Sequence, residues 1–441
     1  MLSLGLAGAT SFGALHGGPP VLAFGAAFFV LVGFSFLAPA ATMFTGRGAA
    51  ALRTAPVLWR LAADHLHRSV HRNAVTVAAL AAAIALAVGL MVMIFSFRES
   101  VDAWIERGII ADLFIAPGSN ETTGLNSFVP PGSIAWLKQR PQVQAVDTFR
   151  ELTVSAASTA VQQPALLAVV DGAPRNNVQF LGGDSAEKLA RVFTRGEVAV
   201  SEGLARRFRV RAGEVLRVAS PRGEVELRIA GVYMDYTREQ GVILMARQTF
   251  ARWWDDPRVH SLAVYLKAEA APADLAEAFN REFNRAGEFM VYSNRELRQR
   301  VLAIFDQTFA VTYVLRTVAI IVAVLGIFLS VTTLVAERER ELGMLRAIGA
   351  SRGQIQRLLM AEAGMIGAVA SVLGIASGAL LAAVLTWVVN PAFFGWTIEF
   401  QIPWGAVAAT PLWIIPSAVL AAWYPAWRAA RKPLAAAVRE E

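Results

Sequence analysis

The chain has 441 residues, a mean hydropathy of +0.47, 55% hydrophobic side chains and only 17% charged ones, a balance that points to contact with lipid. Its formal charge of +7 is unevenly spread: 26 basic and 26 acidic residues lie between Arg98 and Ala310, leaving 15 basic and 8 acidic for everything else. The basic excess therefore belongs to apolar flanks and does not imply a nucleic-acid partner, and the absence of cysteine excludes disulfides, thiolate metal sites and cysteine nucleophiles.

Taken in chain order, Leu2–Leu15 is apolar but too short to cross a bilayer, which needs roughly 20 residues. His16-Gly17-Gly18-Pro19-Pro20 after it reads as a turn, and no basic stretch precedes it, so it does not read as a signal peptide. It reads as the end of a helix whose beginning is missing. The first spanning helix is expected over Pro20–Phe44, giving a segment 1–44. Residues 45–73 follow as a cytoplasmic amphipathic segment; Leu52–Arg72 places Val57, Leu58, Leu61 and Leu66 on a lipid-facing side. A second span covers 74–97.

Residues 98–310 are expected to form one mixed α/β extracytoplasmic domain. Val198–Val200, Val215–Ala219, Val225–Val232, Val242–Met245 and Ala263–Leu266 read as strands, with Pro221-Arg222-Gly223 turning a hairpin. Ser201 starts a helix over Glu202–Phe208, and Pro272 to Asp274 starts another over Leu275–Phe283. Ser293-Asn294-Arg295-Glu296 forms a capping box for a helix that runs into the third span, Val311–Val335. Two further spans, Ala361–Val389 and Trp404–Trp423, complete a module over 311–441. The fold class is thus an α-helical integral membrane protein of about five transmembrane helices, with the α/β domain inserted between spans 2 and 3.

Loop charge sets the orientation. Arg47, Arg53, Arg60, Arg68 and Arg72 lie before span 2, five arginines lie in Ala336–Met360, and Arg428, Arg431, Lys432 and Arg439 lie in the tail. Positive-inside places these in the cytoplasm, leaving the N-terminus and 98–310 outside and the C-terminus inside a bacterial inner membrane.

Little in the chain carries catalytic chemistry. The four lysines, Lys138, Lys188, Lys267 and Lys432, are followed by Gln, Leu, Ala and Pro, so none ends a phosphate-binding loop. No HExxH occurs. His65, His67 and His71 cluster before span 2, but a metal centre would need a further ligand and an ordered second shell, and no metal site is assigned. Arg316 is a candidate intramembrane contact, with snorkelling to headgroups as the plainer reading. Trp253-Trp254 is an apolar patch that reads as core.

The informative stretch is ERERELGMLRAIGASRGQI, residues 337–355. Its alternating charges extend the third span out of the membrane, Gly349 can close a helix in the left-handed conformation, and Ser351 with Gln354 forms a second capping box. The result is a charged helical corner, 336–360. This string, with the Gly/Ala-rich span after it and the pattern Gly196–Tyr233, resembles the C-terminal half of FtsX-like ABC transporter permeases, a group that includes MacB-like and LolC-like proteins.

The resemblance implies that the corner docks on a separate nucleotide-binding subunit, through Glu341, Leu345, Arg346, Gly349, Ala350, Ser351 and Arg352. It implies ATP and Mg in that partner ATPase and no cofactor on this chain. A second permease half or a homodimer is the further expected partner, besides membrane lipid, with the apolar N-terminal hairpin matching the second half of a larger duplicated permease. Helix movements would drive the outer domain to handle lipoprotein, lipid, peptide or drug, or to regulate envelope enzymes. The alternative is a membrane sensor or scaffold with a ligand-binding outer domain.

Overall fold

The computed structural model describes all residues except 1, 16–18, 52–55, 119–126, 173–177, 237, 239–240, 285–287, 338, 394, 396 and 432–441, and leaves out side chains at 49–51, 71–72 and most positions of 305–340. It divides into two compact units, a membrane unit of Met1–Phe97, Phe309–Phe393 and Ile398–Glu441, and an outer unit of Arg98–Thr308 with Phe394–Thr397.

The membrane unit begins with α1 (Leu2–Leu15), α2 (Val21–Ser35) and α3 (Ala38–Ala51). The break at Phe36–Leu37 precedes Pro39, which has no N–H to continue the helical ladder. Helix α4 (Val57–Arg68) buries Ala62, Ala63 and Leu66, and α5 (Val70–Gly108) runs for 39 residues. Four helical stretches among the described residues are long and apolar enough to cross a membrane: Val21–Gly48, Asn73–Gly108, Arg352–Phe393 and Trp404–Arg431. The remaining expected span, Val311–Val335, is helical within α11 (Asn294–Glu337), and most of its side chains lie outside the described set.

After α12 (Glu339–Ala347) comes α13 (Arg352–Val384), which continues through a π-helical turn, Leu385–Val389, into α14 (Asn390–Phe393). Helix α15 (Trp404–Arg431) holds Pro411, Pro416 and Pro425. Helices in lipid gain little from burying large apolar groups against one another, so close backbone approach must hold them. Gly374 and Gly378 of α13 supply it on α5: a Cβ there would lie 2.6 Å from Ile84 Cβ and 2.7 Å from Val88 Cβ respectively. Gly367 does the same on α15, 3.0 Å from Ala418 Cβ.

The outer unit carries nine strands: β1 (Leu113–Pro117), β2 (Val143–Ala157), β3 (Gln162–Val170), β4 (Val198–Ser201), β5 (Val215–Ser220), β6 (Gly223–Tyr233), β7 (Val242–Ala246), β8 (Ser261–Leu266) and β9 (Phe289–Ser293), in the order β3-β7-β4-β6-β5-β2-β8-β1-β9. Because β2 also pairs with β3 over Phe149–Ala157, strands β2, β3, β7, β4, β6 and β5 close a ring. Leu167, Val200, Leu216, Ile229, Phe208 and Phe250 fill its interior, an arrangement in which inward residues alternate with outward ones along each strand. The first half of β2 departs from the ring and pairs with β8 from Val143 to Phe149, joining a second layer of β8, β1 and β9. Against that layer pack α6 (Pro131–Lys138) and α10 (Pro272–Phe283), through Leu137, Leu275 and Phe279, while α7 (Ser185–Arg195), α8 (Glu202–Phe208) and α9 (Arg247–Trp253) fall between those two in the chain.

Local signals explain the boundaries. Ser201 Oγ accepts from Leu204 N at 3.5 Å and from Val242 N at 2.8 Å, so one side chain caps α8 (Glu202–Phe208) and ties it to β7. Ser220 pairs with Gly223 across a two-residue turn. Ser293 and Glu296 form a reciprocal box, with Ser293 N donating to Glu296 Oε2 at 2.8 Å and Glu296 N to Ser293 Oγ at 3.3 Å; the backbone donor lowers the Glu296 pKa. From that box α11 extends without interruption to Glu337.

Candidate functional site

The corner between α12 and α13 is closed by backbone hydrogen bonds of the kind that end helices at glycine. Gly349 has φ +103, Gly349 N donates to Arg346 O at 3.1 Å, and Ala350 N donates to Leu345 O at 2.9 Å. This pair of bonds is a Schellman motif, which satisfies carbonyls that a helix end leaves open. Directly afterwards Ser351 Oγ accepts from Gln354 N at 3.2 Å while Gln354 Oε1 accepts from Ser351 N at 2.8 Å, a complete capping box.

Each residue carried over from the resemblance has a distinct place there. Leu345 and Ala350 are half-buried and pack against the membrane-unit core beside the buried Leu342. Gly349 and Ser351 make the turn itself. Glu341 and Arg352 are exposed, and Arg346 is half-buried. The structure therefore brings all seven onto one corner, four of them building it and the others facing outward from it. Arg316 belongs to α11, but its side chain lies outside the described residues.

Two outward residues were missed. Ile348 is 82% exposed and Met344 57% exposed, an apolar tip on an otherwise charged corner. No local signal singled them out, since their exposure follows from Leu342 and Leu345 taking the core positions.

The histidines do not converge. His67 Nε2 accepts from Arg47 Nε at 2.9 Å, His65 Nδ1 faces the buried Glu362 at 3.9 Å, and no group of three or more metal-ligating side chains occurs among the described residues. Trp254 is buried and stacked on Phe250 at 5.1 Å, so it is core.

The outer unit holds a buried charged cluster of its own. Arg150 donates to Asp256 Oδ2 from Nη2 at 2.9 Å and meets His260 Nε2 at 2.5 Å through Nη1, while His260 stacks on Phe128 at 5.0 Å. Burial, then the Arg150 charge, lowers the His260 pKa to about 4, so the imidazole is neutral. Arg258 and Arg150 hold the Asp256 carboxyl well below the ordinary carboxylate range. The cluster is satisfied by its own members, which is what a structural tie requires. A separate cleft of about 270 Å³ is bordered by Trp104, Phe149, Tyr233, Glu151 and Asp235; burial raises the Tyr233 pKa, and its hydroxyl donates to Asp235 at 3.4 Å.

An α/β domain placed between apolar helices, and a capped corner between two long helices, define a multi-pass membrane protein of the ABC transporter permease class. Residues 313–434 match the FtsX-like permease C-terminal family and residues 74–282 match the MacB-like periplasmic core domain. The chain belongs to the FtsX-like permeases with a MacB-like periplasmic core domain. An uncharacterized ABC transporter permease protein of Mycobacterium tuberculosis is 28% identical over 98% of this chain and 52% of its own length, so the chain spans about half the length of that relative. The ABC transporter permease YtrF of Bacillus subtilis is 41% identical over 58 residues, 13% of each chain. Among solved structures, the periplasmic region of MacB from Actinobacillus actinomycetemcomitans is similar with a TM-score of 0.35 and 11% identity, over 45% of this chain and 95% of that one. The extracellular domain of YknZ from Gram-positive bacteria gives a TM-score of 0.30 and 13% identity, over 42% of this chain and 99% of that one.

Proposed function

We propose that the chain couples ATP hydrolysis by a partner ATPase to movement of its periplasmic domain, with the 336–360 corner as the docking element. The observation that carries this reading is the corner's construction: a Schellman closure and a capping box hold an exposed Ile348 and Met344 between Glu341 and Arg352. A fixed apolar tip ringed by charge has the chemistry of an anchor that fills a partner's pocket. ATP and Mg belong to that partner, and a second permease half or a second copy completes the membrane part. The corner and the C-terminus lie in the cytoplasm of a bacterial inner membrane, with the N-terminus outside. Coupled motion passes through α5 and α11, each of which is one helix from the membrane segment into the outer unit's sequence.

The test is affinity purification of the full chain, from native expression in mild detergent, with and without Ile348→Asp and Arg346→Glu. An ATPase that copurifies with the wild type and is lost from both variants supports the reading. A wild-type preparation without nucleotide hydrolysis, or an ATPase retained by both variants, overturns it in favour of a sensor or scaffold.

A further inference from the structure

We propose that the membrane unit has a built site for one anionic phospholipid of the cytoplasmic leaflet, in a groove between α4, α13 and α15. The groove measures about 510 Å³ and is walled by Leu58 and Trp59 of α4, Ala361 and Met365 of α13, and Ile415 and Val419 of α15. These are aliphatic and aromatic side chains without a carboxylate or amide, which suits an acyl chain. Trp59 is 52% exposed, as befits an indole at the headgroup level.

Charge selects the headgroup. Arg357 sits at the groove on α13, one helical turn before Ala361, and is exposed. Arg60 follows the groove residue Pro56 by one turn of α4, and its Nε is buried without a hydrogen-bond partner among the described residues. The nearest acid along α13, Glu362, is wholly buried and faces His65, so it is not placed at the groove mouth to neutralise them. The Arg357 guanidinium at the apolar slot, with Arg60 one turn beyond Pro56 on α4, on the Arg-rich side that positive-inside assigns to the cytoplasm, matches a phosphodiester with its acyl chain attached. Basic pockets between transmembrane helices on that side bind anionic headgroups for the same reason. The site is continuous with the corner, since α13 carries both the groove and Ser351, so an occupied groove would brace the element that ends at the corner.

The experiment is native mass spectrometry of the full chain released from detergent, titrated with phosphatidylglycerol and with phosphatidylcholine of identical acyl chains. Wild type is expected to bind phosphatidylglycerol more tightly. Arg357→Ala and Arg60→Ala should each cut that preference about fivefold, the worth of one basic residue at an anionic surface, and leave phosphatidylcholine unchanged. Ala361→Leu, which fills the slot, should weaken both lipids while circular dichroism confirms an intact helical fold. Equal binding of the two lipids to wild type overturns the proposal. So does a preference that survives both arginine substitutions, or competition by glycerol phosphate with no effect of Ala361→Leu, which would make the ligand a soluble phosphate.

Discussion

The two units are packed by different rules. In the outer unit the largest side chains go inside: Phe208, Phe250, Phe279, Leu167, Leu204 and Ile229 are fully buried. In the membrane unit alanines share the interior with aliphatic residues: Ala62, Ala63, Ala382, Ala418, Ala422 and Ala426 are all at 0% exposure beside the buried Leu66, Ile84 and Leu358, while Leu412, Trp413 and Leu420 are each more than 70% exposed. Water drives large apolar groups out of solvent in the first case. Lipid offers no such drive in the second, so small residues let backbones approach and large ones meet acyl chains. A large hydrophobic residue is therefore a core marker in the outer unit, whereas in the membrane unit it occurs both inside, as Leu66 and Ile84 do, and facing outward, as Leu412 does.

The strongest break of this contrast is a cavity in the outer unit. Phe208→Ala should cost about 3–5 kcal/mol, read as faster amide exchange across β4 to β7 with α13 unchanged. Equal loosening of α13 would show that the two cores are one cooperative unit. The next largest effect is on pH. His260 has its pKa lowered to about 4 from 6.5, so its contribution is fully present above 6.5 and is lost as pH falls through the window from 6.5 to 4. The loss amounts to roughly 2–3 kcal/mol, confined to the outer unit, and His260→Gln should flatten that part of the pH profile.

In the membrane unit the sharper probe adds volume. Gly378→Leu should destabilise by about 1–3 kcal/mol, because a Cβ already meets Val88 Cβ at 2.7 Å and Ala85 O at 3.0 Å. Exchange at the facing turns of α5 and α13 would rise while β4 to β7 stay protected. An enlarging substitution that leaves α5 and α13 as protected as in wild type would refute the small-residue account.

Much of this was legible in the sequence because each signal was local. The strands β4 to β8, the Ser201 and Ser293 caps and the Ser351–Gln354 box depend on neighbours within a few residues. β1, β2, β3 and β9 were not anticipated. Leu113 pairs with both Val264 and Ser293, and β2 divides its pairing between β8 and β3, so their partners lie far along the chain. The break in the first expected span turned on Pro39, hidden inside an apolar run. At the corner, the turn residues Gly349 and Ser351 were readable from spacing, whereas Ile348 was not, since its exposure depends on Leu342 and Leu345 taking the core positions.

The smallest expected effect separates what builds the corner from what it presents. Ser351→Ala removes the acceptor for Gln354 N and should cost about 1 kcal/mol. Since the corner is a helix end far smaller than either core, that cost should appear as fraying of residues 352–355 in amide exchange and leave both cores intact. Partner capture should weaken in proportion, because a frayed first turn of α13 no longer fixes Ile348. Ile348→Asp should do the reverse, abolishing capture with exchange at 352–355 unchanged, since Ile348 is exposed and supports no packing. If Ser351→Ala frays the turn and capture is undiminished, the corner's rigidity is irrelevant to docking, and the Schellman closure and capping box serve only to connect two spans.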